Sequence, residues 1–297
     1  MDREPAEKLH AIALFPGCTL EASAVQFRDS LLFAAKSLGL SCRELKNWSC
    51  CGASSVHALD PDLALCLALR NLQLAENQGY AEVLAPCAAC YHRLASASFQ
   101  LNRDPDLRAS VNRRTGLNYA GSVRVRNLLD LLLHVVGTER IRAEVRQSLV
   151  PLRAACYYGC LNTRLPGVEP FDDRECPQSM DLIVEALGAT PVEWDSRTQC
   201  CGGSLFVTAG DLSARLVGDI LQDAIRREAH CIVVSCPMCQ NNLDVRQPEY
   251  RDRFGISRPM PILFLPQLMG LAFGASGQGV GLWRHVVPHA AVPAGRS

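Results

Sequence analysis

Two pairs of adjacent cysteines, each followed by glycine, stand about half a chain apart in this sequence. They are Cys50-Cys51-Gly52 and Cys200-Cys201-Gly202. A lone cysteine precedes each pair and a C-x-x-C motif follows it. The set is Cys18, Cys50, Cys51, Cys87 and Cys90 in the first half, and Cys160, Cys200, Cys201, Cys236 and Cys239 in the second. Each half therefore reads C…CC…C-x-x-C, which indicates an internal duplication.

Five thiols in this order indicate a metal or redox centre. Thiolates are soft ligands that suit iron–sulfur clusters and zinc alike. Two adjacent cysteines on an extended backbone point in opposed directions, so they chelate one tetrahedral ion poorly but can bind different irons of a larger cluster. The glycine after each pair permits a positive φ and a close approach of the backbone to an inorganic core. A structural zinc site and redox-active dithiols are the alternatives.

The chain has fifteen cysteines, and without a secretory signal such a number favours metal binding or redox chemistry over disulfides. Cys156 lies four residues before Cys160, but its counterpart in the first half is the apolar Leu14, so we leave it out of the ligand set. We interpret the other four as small hydrophobic core residues. These are Cys42, Cys66, Cys176 and Cys231.

The surroundings of the cysteines repeat as well. Short apolar runs predict strands before the lone cysteine and before the C-x-x-C motif of each half. Leucine-rich segments with helical spacing lie between the CC pair and the C-x-x-C motif, and we expect these helices to start at Asp60-Pro61 and Gly210-Asp211. Each half closes with a strand that runs into a helix. The predicted strands are 11–15, 82–85, 154–158 and 231–234, and the closing segments are 123–133 and 261–271.

This alternation predicts an α/β fold with two similar βαβ-type cysteine-rich domains, each with a small parallel sheet flanked by helices. The cysteines then fall at the C-terminal ends of strands, where open α/β sheets place ligands. We place the domains at residues 1–145 and 146–297. The polar segment Leu101–Gly121 is interpreted as a surface connection, and the tail from His285 as a loose terminus.

Composition excludes several classes of protein. The chain has 297 residues, a net charge of zero and 48% hydrophobic residues, so no basic surplus indicates nucleic-acid binding. The charged N-terminus does not resemble a secretory signal, and the apolar run 261–276 is shorter than a membrane span. We therefore expect a cytoplasmic protein that partners can hold near a membrane. It contains neither a cubane-type cysteine run nor a dinucleotide fingerprint, so it needs partners to supply electrons.

Several segments resemble the catalytic B subunit of heterodisulfide reductase, in which this cysteine-rich "CCG" domain is duplicated. The segments are FPGCTLEASA, ELKNWSCCGASSVH, VLAPCAACYHRL, YYGCLNTRLP, CCGGSL, SCPMCQNNLD and PILFLPQLMGLAFG. The resemblance covers roughly residues 11–274 and includes all ten motif cysteines. It implies two noncubane 4Fe-4S clusters on either side of a substrate cavity in which a disulfide is split. The five motif cysteines of each half would bind one cluster, with zinc in place of one as a minor alternative.

The same resemblance implies a catalytic subunit that acts in a complex with a ferredoxin-like C subunit and a flavin-containing A subunit. We favour the bacterial sulfur-oxidising version, acting on a disulfide or on lipoate- or protein-bound sulfur. The alternatives are reduction of the coenzyme M–coenzyme B heterodisulfide, an iron–sulfur subunit of a glycolate- or lactate-oxidising system, and a zinc-stabilised assembly subunit without catalysis.

Polar residues near the cysteines are weaker candidates. His57 is the predicted catalytic residue, as a proton donor to a leaving thiolate, with a core or surface histidine as the equal alternative. Asn241 and Asn242 would bond cluster sulfides or cap a turn. We interpret Arg93 and Arg164 as solvated charges rather than as binding groups for an anionic substrate.

Overall fold

The computed structural model describes residues 11–53, 56–164, 168, 170–289 and 292. The first half contains β1 Ala11–Leu14, α1 Gly17–Glu21, α2 Val25–Ser37, β2 Ser41–Glu44, α3 Val56–Leu59, α4 Pro61–Asn77, β3 Glu82–Leu84, α5 Ala88–Arg103, α6 Pro105–Thr115, β4 Arg124–Arg126, α7 Leu128–Asp130, which continues as a π-helical turn Leu131–Val136, and α8 Thr138–Ala143.

The second half repeats this order, and its helices α10, α12 and α13 are shorter than their counterparts α2, α5 and α6. It contains β5 Arg153–Tyr157, α9 Gly159–Thr163, α10 Ser179–Ala186, β6 Thr190–Pro191, α11 Gly210–Arg226, β7 Cys231–Val234, α12 Pro237–Asp244, α13 Gln247–Arg251, β8 Ile262–Phe264 and α14 Leu265–Ala272, with 3₁₀ turns at Asp195–Thr198, Gly203–Leu205 and Leu282–Arg284.

Each half forms a four-stranded parallel sheet. The strand order is β2-β1-β3-β4 in one sheet and β6-β5-β7-β8 in the other. The central strands are buried on both faces, as the apolar run of β7 requires. The chain leaves β1 toward one edge of the sheet and β3 toward the other, so a crevice opens between their C-terminal ends. The predicted duplicated α/β fold is confirmed.

Local signals account for the helix starts near the cysteines. The Asp60 side chain accepts a hydrogen bond from the Leu63 backbone N–H at 2.9 Å, and Pro61 occupies the first turn of α4. The helix α11 begins at Gly210. Both predicted starts therefore agree with the structure.

The two halves pack through their closing helices. The helix α14 of the second half lies against α2 of the first, where the rings of Phe27 and Phe264 stack with centroids 4.4 Å apart. In return, α8 of the first half lies against α10 of the second. Because each half supports the other, the two sheets are held in one arrangement. The proposed boundary at residue 145 lies between α8 and β5.

Three expectations differ from the structure. The segment interpreted as a connection, Leu101–Gly121, contains the helix α6, which the Asp104 side chain caps through the Leu107 N–H at 2.8 Å. The predicted strands omitted the edge strands β2 and β6. The tail is anchored rather than loose as far as Val287, because Val286 and Val287 donate backbone hydrogen bonds to Asp244 at 2.9 and 3.0 Å.

Within the part of the chain that the structure describes, no helix is long and apolar enough to cross a membrane. The N-terminal segment 1–10, on which the absence of a secretory signal was argued, lies outside the described residues.

Candidate functional site

The ends of the central strands bring the motif cysteines together. Cys18 follows β1 on the short helix α1, and Cys87 follows β3 directly before α5. The adjacent pair follows the edge strand β2. Because these strands are parallel, their C-terminal ends meet at one edge of the sheet, and five thiols from distant parts of the sequence converge there. The second half repeats the arrangement.

In the first half, the Sγ atoms of Cys51 and Cys90 are 3.2 Å apart. The Gly52 backbone N–H donates to Cys50 Sγ at 3.4 Å. A hydrogen bond with Cys90 lowers the pKa of Cys87 to about 7, and bonds with Cys51 and Cys87 raise the pKa of Cys90. Burial raises the pKa of Cys50, and the nearby charges of Cys51 and Cys18 raise it further. The five sulfurs therefore form one interacting group.

In the second half, the Sγ atoms of Cys201 and Cys239 are 3.6 Å apart, and the Gly202 N–H donates to Cys200 Sγ at 3.3 Å. A hydrogen bond with Cys160 lowers the pKa of Cys200 to about 6, and the same bond raises the pKa of Cys160. Cys236 bonds Cys239. The same five positions of the repeat again form one interacting group.

The glycine after each CC pair has the conformation that the sequence predicts. Gly52 has φ +77° and Gly202 has φ +71°. Residues with a side chain rarely adopt a positive φ of this size. At Gly202 an added Cβ would also lie 2.9 Å from the Ser213 Cα. The backbone directly after each pair therefore requires glycine.

The donor set fits an iron–sulfur cluster. Each group offers five sulfurs and no carboxylate, and two of them come from adjacent residues. The C-x-x-C motifs begin directly before α5 and α12, where backbone N–H groups stabilise thiolates. Among the described residues, no group of three His, Cys, Asp or Glu side chains is arranged to hold a single metal ion.

The two cysteine groups open onto adjoining cavities. All five cysteines of the second group line a cavity of about 200 Å³, and all five of the first group line one of about 450 Å³. Five further residues line both cavities and separate the two groups. They are Ala53, His57, Ala89, Ser204 and Met238. The two cysteine groups therefore lie on either side of a shared wall, each in its own cavity.

His57, the predicted catalytic residue, lies on α3 at the wall of both cavities. Its role stays a prediction. The other four residues that line both cavities were not anticipated. Two of them, Ala89 and Met238, occupy the third position of the two C-x-x-C motifs. That shared position in the repeat was the signal in the sequence.

The remaining polar candidates differ in burial and in their hydrogen-bond or ion-pair partners. Asn242 is buried and its Nδ2 donates to the Cys201 carbonyl and to Ser213 Oγ, whereas Asn241 is exposed. Arg164 is exposed and pairs with Glu175 at 3.2 Å. Arg93 is half-buried and lines the smaller cavity.

The interpretation of the other cysteines holds in part. Cys156 and Cys231 are fully buried, and burial raises the pKa of Cys231 to about 12. Cys42 and Cys66 are partly buried. Cys176 is exposed, so its assignment to the core was wrong. It lies in an irregular, polar segment before α10, where Asp173 bonds its backbone N–H.

A buried polar chain joins the two halves beside the second group. Asn127, which caps α7, donates through Nδ2 to Asn162 Oδ1 at 2.9 Å, and Asn162 Nδ2 donates to Ser235 Oγ at 3.0 Å. Asn162 and Ser235 stand close in sequence to Cys160 and Cys236. The position of the second cysteine group is therefore tied to the first sheet.

Comparisons with known proteins agree with the repeat. A family model described as the CCG cysteine-rich domain matches residues 12–95 and 154–244. The 8-methylmenaquinol:fumarate reductase membrane anchor subunit of Wolinella succinogenes is 35% identical over 93% of this chain and 96% of its own length. The B subunit of a ferredoxin/F420H2-dependent CoB-CoM heterodisulfide reductase of Methanosarcina acetivorans is 30% identical over 93% of each chain.

A solved structure shares the fold. The crystal structure of a hypothetical protein from Helicobacter pylori superposes with a TM-score of 0.74 at 16% identity, over 95% of this chain and 52% of that one. The chain thus spans about half the length of that protein. From the two matched segments and the two relatives, the chain belongs to the cysteine-rich CCG domain family, carries the domain twice, and is a relative of the B subunit of heterodisulfide reductase.

Proposed function

We propose that this chain is the iron–sulfur catalytic subunit of a heterodisulfide reductase-like complex, which cleaves or forms a bond between two sulfur atoms. The observation that carries the proposal is the pair of five-cysteine groups that open onto adjoining cavities with a common wall. Two equivalent groups on adjoining cavities suit a substrate with two equivalent reacting atoms, as a disulfide has.

The ten motif cysteines would hold two noncubane 4Fe-4S clusters, five cysteines to each. When bound, such a cluster supplies electrons singly and a Lewis-acid iron. The chain supplies the geometry: the helix starts at Cys87 and Cys236 stabilise thiolate charge, and the glycines let the backbone turn close to the sulfurs. The cavity wall at Ala89 and Met238 sets the space left for a substrate.

Cleavage of a disulfide takes up two electrons and two protons and releases two thiols. The electrons would come from partner proteins, which we propose to be a ferredoxin-like C subunit and a flavin-containing A subunit. His57 stands where both cavities meet, so it is the proposed proton donor to a departing thiolate and, in the opposite direction, the proton acceptor.

We propose that the complex acts in bacterial sulfur oxidation, with a small disulfide or a lipoate- or protein-bound sulfur as the substrate. The complex would be cytoplasmic and reach a membrane through its partners. The Methanosarcina relative supports the sulfur chemistry by its name, and reduction of the coenzyme M–coenzyme B heterodisulfide is the alternative within that chemistry.

The Wolinella relative favours a second candidate. Its name describes a membrane anchor subunit of an 8-methylmenaquinol:fumarate reductase, so this chain would instead pass electrons from a quinol to a partner at a membrane. In that case the same clusters would act as relays, and the cavity would not bind a sulfur substrate.

The first test measures iron and acid-labile sulfide per chain after anaerobic purification, with EPR spectra recorded during titration with thiols and disulfides. About eight irons per chain and a paramagnetic signal induced by thiol would support two clusters and sulfur chemistry. About eight irons without any response to thiols or disulfides would favour the relay. Zinc without iron, even after anaerobic reconstitution, would contradict both and leave an assembly subunit.

A further inference from the structure

Arg93 stands three residues after Cys90, on the first turns of α5. It lines the cavity of about 200 Å³ beside the second group and also a neighbouring groove that includes His57, Pro61 and Gln100. The guanidinium therefore lies at the boundary between the inner cavity and the protein surface.

Among the residues that the structure describes, no carboxylate forms an ion pair with Arg93. Within the described part of the chain, its one hydrogen bond runs from Nη2 to His92 Nδ1, at 2.8 Å. Because arginine only donates, His92 Nδ1 must accept the hydrogen bond, so that nitrogen carries no proton. A guanidinium offers five N–H donors in a planar fork, and most of those of Arg93 are left for a molecule in the cavity.

Burial makes this arrangement costly. Desolvation lowers the pKa of Arg93, and the electrostatic influence that opposes it comes from Cys51. A half-buried cation without a carboxylate is rare in protein interiors, since charges are usually paired when they leave water. An anion that enters the cavity would restore the balance.

The repeat shows that this position does not require a charge. The residue three after the second C-x-x-C motif is Asn242, whose Nδ2 bonds the Cys201 carbonyl and Ser213 Oγ. It holds the CC loop to the following helix, a purely structural task. At the equivalent position of α5 the first half has Arg93, a cation that lines a cavity. The two halves therefore use this position differently.

We propose that Arg93 is a specificity-determining residue that binds a carboxylate or similar oxyanion carried by the sulfur substrate, a short distance from its reacting sulfur. The inference rests on the proposed sulfur chemistry and names the substrate class: thiols and disulfides with an anionic substituent. The planar guanidinium suits a carboxylate because it donates two parallel hydrogen bonds.

The test compares 3-mercaptopropionate with 3-mercaptopropionamide, which has the same size and no charge. Dissociation constants are measured by calorimetry on the anaerobic, iron-loaded protein, with iron content and Tm checked for every variant. We expect the unmodified protein to bind the carboxylate about 10- to 100-fold more tightly than the amide. Arg93→Gln should remove that preference by weakening carboxylate binding, while Arg93→Lys should keep part of it.

Arg164→Gln is the matched control, because Arg164 also follows a cluster cysteine but is exposed and paired with Glu175. It should leave the preference intact. An unmodified protein that binds both thiols equally, or a preference that survives in Arg93→Gln, would overturn the inference while leaving the sulfur chemistry standing. Iron-loaded protein that binds neither thiol would instead contradict the proposed function itself, and the inference with it.

Discussion

The two cysteine groups share five positions of the repeat but differ in their exposure. In the first half Cys18 and Cys50 are exposed, whereas their counterparts Cys160 and Cys200 are partly buried. The C-x-x-C cysteines are buried in both halves. Duplication has therefore kept the inner part of each group and changed the outer part, so the two centres meet solvent differently.

The residues before the lone cysteine also differ between the halves. The turn before Cys18 reads Phe15-Pro16-Gly17, and the turn before Cys160 reads Tyr157-Tyr158-Gly159. The Tyr157 hydroxyl donates to the Gln199 carbonyl at 2.6 Å, and the Tyr158 hydroxyl donates to Asp181 at 2.5 Å. Phenylalanine and proline offer neither bond. The second group is thus fastened by buried hydroxyls that the first group lacks.

The largest expected effect is the loss of one centre at a time. Cys51→Ser and Cys201→Ser each remove a buried sulfur from one group, so each variant should retain about four irons per chain in place of about eight. The measurement is iron and sulfide analysis after anaerobic reconstitution. Cys176→Ser is the control, since that thiol is exposed and outside both groups. Full iron content in Cys51→Ser or in Cys201→Ser would exclude the substituted cysteine as a ligand.

The difference in exposure predicts an order of metal loss. A chelator should remove iron first from the centre with exposed Cys18 and Cys50, because solvent and chelator reach exposed sulfurs directly. Iron release should therefore be biphasic, and Cys201→Ser, which keeps only the first centre, should show the fast phase alone. Cys51→Ser should show the slow phase alone. A single phase common to both variants would contradict the link between exposure and lability.

A smaller effect is expected where the second half uses a structural asparagine. Asn242→Ala leaves the Cys201 carbonyl and Ser213 Oγ without their partner, which should lower the free energy of unfolding by about 1–3 kcal/mol. Anaerobic denaturant titration measures it. Asn241→Ala is the control, because Asn241 is exposed. Equal effects of the two substitutions would show that the buried bonds do not stabilise this loop.

Much of the fold was predictable because its signals are local. The apolar runs that became β1, β3, β5 and β7 are short, continuous and buried, and each stands shortly before a motif cysteine. The edge strand β2 was missed because Ser41–Glu44 is polar and partly exposed, so it lacks the apolar signal of a central strand. Its pairing with β1 is a tertiary contact.

The sequence predicted the cysteines of the site but not the other residues that line its cavities. The repeat identified all ten motif cysteines, and the parallel sheets explain why they converge. Arg93 and Arg164 looked alike in sequence, yet one faces a cavity and the other pairs with Glu175 on the surface. The buried side chain of His285 bonds Gln240 at 3.2 Å, which anchors a tail that seemed loose. Such contacts join residues far apart in the chain, so no local pattern predicts them.

The smallest effect tests the hydroxyls that distinguish the two groups. Tyr157→Phe gives the second half the residue type of Phe15 and removes the bond to the Gln199 carbonyl, directly before Cys200. We expect a loss of about 1 kcal/mol in the free energy of unfolding. The loop that carries Cys200 should also open more often, so hydrogen exchange at its amides should quicken while the loop at Cys50 is unchanged.

Tyr80→Phe is the control for this change. Within the described residues the hydroxyl of the partly buried Tyr80 has no hydrogen-bond partner, so its removal should alter neither stability nor exchange. If Tyr157→Phe leaves exchange around Cys200 as slow as before, the hydroxyl does not fasten the loop. The greater enclosure of the second group would then come from packing alone, through the ring of Tyr157 against Trp194, whose centroids are 6.0 Å apart. If exchange quickens, one oxygen atom that distinguishes the two halves accounts for part of the difference between the two centres.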